Sequence, residues 1–231
     1  MKRFICTLLV LSMLMIMAAC HSAKPTSPKN AIMPSELSAG QQDIIDLLSI
    51  PNNQELLLFD FNTEESYSSF EVWVEVYQDG DIINRFAGLG QQSDTDEKHN
   101  GRLAVIISQN ENVYQWTLSI IQNGGRASSI GTTEIIGGSA LARAYGPMND
   151  SANIEDGKEI IIYSSLFSGA NILPAYDCQS LQERPELLKE FPYVYLIKCK
   201  FSNGSSMLGA SSSFPMKSHL HFLGSNSNLK Q

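Results

Sequence analysis

A single antiparallel β-sandwich-like domain, mainly β with one or two short helices, is the fold this sequence predicts, and three observations predict it. Runs of alternating apolar and polar residues recur from Gln54 onward. Turn signals built from Asp, Asn and Gly separate them. The 231 residues are 43% hydrophobic and only 17% charged, too apolar for a disordered chain and sufficient for one core.

The first element is a short helix over residues 35–49. Leu37, Ile44, Ile45, Leu47 and Leu48 give partial helical spacing, acids sit early, and Pro51 closes the run. Strands follow. Over residues 54–62, Leu57, Phe59 and Phe61 alternate with Leu56, Leu58 and Asp60, and over 70–77, Val72, Val74 and Val76 alternate with Glu71, Trp73, Glu75 and Tyr77. Asp79-Gly80, set before Ile82-Ile83, accepts the positive φ of a type I′ turn and predicts a hairpin over 70–87. A second hairpin joins residues 102–108 to 112–121 around Gln109-Asn110-Glu111. Its latter strand carries Tyr114, Trp116, Leu118 and Ile120 on one face and Gln115, Thr117 and Ser119 on the other. Gly124-Gly125 turns the chain, residues 132–136 form a weaker strand, and 159–167 and 191–201 are the last clear ones. The total is about seven or eight strands, with a second helix over 180–189. There is no internal repeat.

Residues 1–20 differ in composition. Lys2 and Arg3 precede a nearly unbroken apolar run from Phe4 to Met17, about 14 residues, too short to span a bilayer and suited to a signal peptide. Met17-Ala18-Ala19-Cys20 resembles a bacterial lipobox, with small residues before the cysteine and Met where Leu is most common. The resemblance, confined to about 20 residues, implies a lipoprotein: signal peptide 1–19 is removed and the Cys20 thiol takes the lipid, including palmitate. Such a protein is extracytoplasmic and lipid-anchored to the cell membrane, or to the outer membrane of a Gram-negative host, since His21 rather than Asp follows the cysteine. The other reading of this leader is an ordinary cleaved signal peptide with a chance cysteine. Residues 20–34, rich in Pro and poor in large apolar side chains, are expected to be the lipidated cysteine and a flexible tether. The β-rich domain is expected over 35–210, and a mobile Ser/Asn-rich tail over 211–231.

Charge restricts the partners. Acids number 24 against 16 bases, a net charge of -8, which disfavours nucleic acid because phosphate binding needs clustered Lys and Arg. Losing Lys2 and Arg3 with the leader leaves about -10, so acyl chains rather than surface charge would hold the protein at the bilayer.

Candidate chemistry is sparse. Cys178 and Cys199, the thiols remaining in the body, are expected to pair outside the cytoplasm, closing a loop of about 20 residues with a gain of ~3 kcal/mol. Two separate thiols are the alternative. His219 and His221 have a spacing that can bind zinc or copper but sit in the polar tail. Asp94, Asp96, Glu97 and Asn100-Gly101 are reminiscent of a calcium loop, yet Lys98 and His99 stand where a ligand and a glycine belong, so a polar loop is expected. Trp73 and Tyr77, beside Glu71 and Glu75 on the strand face opposite the valines, are either covered by a second sheet, the 35–49 helix or a loop, or form a possible ligand contact that could stack on sugars or hold a cation. GxSxG, HExxH, Walker A and GxGxxG patterns are not present. No catalytic residue, metal site or cofactor is assigned. The expectation is a non-enzymatic module meeting an envelope protein, or alternatively a glycan or small ligand through the Trp73 face; an envelope enzyme working through a pair of acids is the third reading.

Overall fold

In the computed structural model, which describes residues 28–92, 98–122, 124–135, 141–169 and 176–203, the elements run in this order. Strand β1 (Ala31–Pro34) and helix α1 (Ala39–Leu47) precede strands β2 (Gln54–Ser66), β3 (Ser69–Gln78), β4 (Asp81–Gln92), β5 (Lys98–Asn110), β6 (Val113–Gln122) and β7 (Gly125–Glu134). Then come β8 (Ala142–Pro147), β9 (Ala152–Asn153), β10 (Glu159–Ser168), helix α2 (Cys178–Glu183), a 3-10 helix (Pro185–Glu190) and β11 (Tyr193–Ser202). The strands form two antiparallel sheets, a first in the order β7-β6-β5-β2-β1-β9 and a second in the order β4-β3-β11-β10-β8. The sandwich-like, mainly β fold is as expected. The leader, Cys20 and the tail beyond 203 lie outside the described residues, as do Asp94, Asp96, Glu97, His219 and His221.

Local chemistry explains the elements that the sequence announces. Asp79 and Gly80 adopt φ of 53° and 88°, the left-handed geometry their turn requires, and β3 pairs with β4 around them. Glu111, at φ 46°, turns β5 into β6, with Asn110 opposite Val113. Helix α1 is started by a capping box: Ser38 Oγ accepts from the Gln41 N–H, and Gln41 Oε1 accepts from the Ser38 N–H at 3.0 Å.

Several strands depart from expectation. Residues 31–34, assigned to the tether, form β1 inside the first sheet, pairing with β2 on one side and β9 on the other. Strand β7 begins at Gly125 and runs ten residues, its small polar side chains paired throughout with β6. Strand β8, unanticipated, is one edge of the second sheet and pairs with β10.

The core lies between the sheets. Phe59, Leu103, Val105, Trp116 and Leu118 from the first meet Val72, Val74, Tyr163, Tyr195 and Ile197 from the second. Aromatic rings fill one end, where Phe201 lies 4.4 Å from Phe70 and Phe61 stacks on Phe70 at 4.9 Å. Edge strands β4 and β7 close one side. There, a Cβ on Gly131 would lie 2.6 Å from Phe86 Cδ2 and 2.7 Å from Ala87 Cβ, so only glycine fits this approach. The outer face of the second sheet carries a smaller apolar layer, in which Leu181, Leu187 and Leu188 of the helical segment are buried and α2 packs on β10. A bulge between Ile161 and Tyr163 leaves the Ile161 N–H to Gln182 Oε1, at 2.9 Å.

Candidate functional site

The sequence drew attention first to the β3 face bearing Glu71, Trp73, Glu75 and Tyr77. The structure does place these side chains opposite the valines, but it buries all of them, so they do not form an exposed contact patch. The reason is that charged groups from neighbouring strands close over them. The Glu75 side chain is 0% exposed. Its Oε1 accepts from Trp73 Nε1 at 2.9 Å and from Arg85, and its Oε2 accepts from Tyr77 OH at 2.6 Å and pairs with Lys198 Nζ at 2.8 Å. Arg85 lies over the Trp73 ring at 4.8 Å. Lys198 also reaches Glu159 at 3.0 Å, and Lys200 sits 3.7 Å from Glu71.

This arrangement sets the protonation states. Burial pushes the Glu75 carboxyl upward, yet the hydrogen bonds from Lys198 and Tyr77, the Lys198 charge and the Trp73 N–H outweigh it and hold the group down at about 2. Burial and the bond to Glu75 push the Tyr77 hydroxyl up to about 12. Burial opposes the Lys198 charge, but Glu75 and Tyr77 prevail and raise it. Glu75 is thus a carboxylate whose oxygens are occupied by the chain's own donors, which suits a fixed internal anchor and leaves no room for a ligand.

The cysteines do not pair. Cys178 and Cys199 are both free and buried, and they lie on opposite faces of the second sheet. Cys199 sits in β11 opposite Val72, facing the core. Cys178 begins α2 on the outer side, 3.8 Å from the Gly146 carbonyl oxygen and 4.0 Å from Ser164 Oγ. A β-sheet stands between the two sulfurs, so the expected bridge is replaced by two separate thiols. Burial pushes the Cys178 thiol up to about 12 and raises Cys199 as well, the wrong direction for a nucleophile.

Residues 98–101, read as part of a polar loop, belong to β5. His99 is buried: its Nε2 hydrogen-bonds the Tyr67 carbonyl oxygen and its Nδ1 lies against the Gln122 side-chain amide. Among the described residues no group of three or more His, Cys, Asp or Glu is placed to hold a metal ion.

A second polar cluster, which the sequence reading passed over, lies on the inner face of the same sheet at one end of the sandwich. Arg143 of β8 donates through Nε to Ser165 Oγ and through Nη2 to Tyr163 OH, both at 2.7 Å, and it pairs with Glu55 of β2 at 3.2 Å. Tyr163 OH in turn donates to Glu55 Oε2 at 3.0 Å. Burial pushes the Tyr163 hydroxyl up, keeping it protonated and able to serve both neighbours. Rings surround the guanidinium: Tyr145 at 4.0 Å, Tyr114 at 5.2 Å and Phe167 at 5.9 Å. Beside it a cavity of about 230 Å³ opens between Gln109, Asn112, Tyr114, Leu141, Arg143 and Phe167. Tyr145 is 55% exposed. The signal for this site was the alternation of Arg143 and Tyr145 with Ala142, Ala144 and Gly146, a large-small period of two, interrupted by Pro147.

A two-sheet antiparallel sandwich with an internal carboxylate anchor and an arginine-aromatic mouth defines the class of protein. The profile of the YgaN domain family matches residues 31–201, nearly the span from the start of β1 to the end of β11, and the chain belongs to that family. No curated protein and no solved structure matches it.

Proposed function

We propose that this YgaN-domain protein is an extracytoplasmic lipoprotein, anchored in the bilayer through acylated Cys20, whose sandwich is a non-enzymatic binding module for an envelope partner. The observation that carries the anchoring is positional. The lipobox-like Met17-Ala18-Ala19-Cys20 stands ten residues ahead of β1, where a lipid would tether the domain without intruding on it. Its side-chain chemistry agrees with a binding role. Glu75, Glu71 and Glu55, the carboxylates set in charged clusters, are engaged by Lys198 and Arg85, by Lys200 and by Arg143 in turn rather than poised for proton transfer. The mouth at Arg143 and Tyr145 is the contact surface in this reading.

A glycan or small ligand is the second reading, and it moves from the Trp73 face to the mouth. The exposed Tyr145 ring offers a stacking surface, and Gln109 and Asn112 line the adjacent cavity with amides that suit sugar hydroxyls. Two measurements on the full chain in a bacterial host test the proposal. Labelled palmitate should enter the protein and be lost in Cys20→Ala; incorporation that survives this change sinks the anchor. A photo-crosslinking residue in place of Tyr145 should give a discrete adduct, protein or glycan by its mass, and a clean absence of adducts removes the mouth as the contact surface.

A further inference from the structure

Helix α1 is not seated as a core helix. None of its residues is buried, and a cavity of about 360 Å³, lined by Ile45, Ile50, Leu56, Leu58 and Pro147 among others, lies between it and the sheet. Its other side presents Ile44, Leu47 and the C-cap Leu48, which are 61%, 83% and 68% exposed. Positions i, i+3 and i+4 form one stripe. At 100° per residue Asp46 turns away from it, tied down by Gln42 Nε2 at 2.8 Å, while Asp43, four residues before Leu47, flanks the edge of the stripe. Gly40, at the head of the stripe, would meet nothing within 4 Å even with a Cβ. No Lys or Arg occurs between Lys29 and Arg85, so the helix carries no cation of its own beside the stripe.

Chain length decides what it meets. The N-terminal segment is pinned to the domain at Lys29 and Asn30: Lys29 pairs with Glu64 at 2.8 Å, and Asn30 Oδ1 accepts from the Glu64 and Glu65 N–H groups at 2.5 and 3.1 Å. Nine residue steps separate Cys20 from Lys29, a reach of at most about 32 Å. A domain of this size is about 40 Å across, so an acyl chain on Cys20 keeps one of its sides against the lipid. Along β2, Glu64 and Leu56, which lies under α1, are about 26 Å apart, within the tether's reach. Of the other exposed aliphatics, Ile106 lies opposite Leu56 beside α1, Val113 begins β6, Ile121 and Ile130 stand among Ser, Thr, Gln and Arg on the first sheet's outer face, and Ile82 and Ile83 lie at the start of β4.

We infer that α1 is a membrane-contact helix, laying Ile44, Leu47 and Leu48 into the interface of the same bilayer that holds the lipidated Cys20 and so fixing the orientation of the sandwich on the membrane. The inference rests on the anchored-lipoprotein reading, and the test separates the two. Cys178 and Cys199 are buried, so in the full lipidated protein Leu47→Cys supplies the accessible thiol for an environment-sensitive fluorophore. The protein is reconstituted into neutral phosphatidylcholine vesicles, with Cys20→Ala as the unlipidated control. Co-flotation with a blue-shifted emission, quenched by a membrane-embedded quencher and persisting in high salt, is expected. Co-flotation with water-like emission overturns the contact while the anchor stands; loss of flotation overturns both. A shift that grows with protein concentration in detergent, without vesicles, assigns the stripe to a second copy and overturns the inference. A second variant, Ile44→Ser with Leu48→Ser in the labelled background, should lose the shift and keep both flotation and the thermal transition.

Discussion

The two faces of the second sheet bear opposite kinds of charged cluster. On the outer face an anion is the centre: Glu75 is fully covered and receives Trp73, Tyr77, Arg85 and Lys198. On the inner face a cation is the centre: Arg143 is held by Glu55, Tyr163 and Ser165 within a ring of aromatic side chains, beside an opening to solvent. Depth makes the difference. A covered carboxylate survives only if its own chain supplies its donors, and the site that results is closed to ligands. A guanidinium near the rim can be satisfied in part by the chain and in part by whatever enters the mouth. Saturation marks the outer cluster as structural, and the opening beside the inner one is what supports the contact proposed there.

The sharpest way to break this contrast is at Glu75. Glu75→Ala leaves Lys198 and Arg85 facing a void, and the loss expected in urea unfolding is about 3–5 kcal/mol. The pH dependence follows from the depressed carboxyl. Its folded value, about 2, lies below the ordinary 4.5. The stability it contributes is therefore fully present above pH 4.5 and lost as pH falls from there toward 2. Glu75→Gln should flatten the acid limb of the stability curve over that window. An unchanged limb would mean that Glu75 is not the buried anchor.

The inner cluster should respond less. Arg143→Ala releases Glu55, which is near enough to the rim to regain water, so about 1.5–3 kcal/mol is expected from the lost charge-assisted hydrogen bonds. Arg143→Lys should recover little of it, since an ammonium cannot span Ser165, Tyr163 and Glu55 with a planar fork. Full rescue by lysine would reduce the cluster to a simple point charge, and the geometry of the mouth would then carry no meaning.

How much of this was legible in the sequence depends on the distance between partners. Asp79-Gly80 declares its hairpin because the turn is chosen by two adjacent residues, and the Val72 to Val76 alternation declares which side is core. What it cannot declare is the covering of the other side. Lys198, which engages Glu75 and Tyr77, is 121 residues from Tyr77, and nothing local distinguishes a ring awaiting a ligand from one awaiting a lysine. Short strands were lost for a related reason. The four residues of β1 follow a Pro-rich stretch and become a strand only because β2 and β9 flank them. Strand β8 ends in Gly-Pro, which reads as a turn, and its pairing with β10 overrides that signal.

The smallest expected effect tests the sheet as a barrier between its two faces. Spacing in the sequence suggests that Cys178 and Cys199 could bridge, since a 20-residue loop is easily closed and would contribute ~3 kcal/mol. Register places Cys199 against the core and Cys178 on the outer side near Ser164, so no rotamer of either joins them through the intervening strands. Thermal unfolding of the oxidised, purified protein should therefore be the same with and without reductant. Loss of a real bridge would lower the transition by roughly 6–12 °C at this chain length, well beyond measurement error. A drop of that size would place both sulfurs on one side of the sheet and, with them, dissolve the distinction between the outer face of Glu75 and the inner face of Arg143.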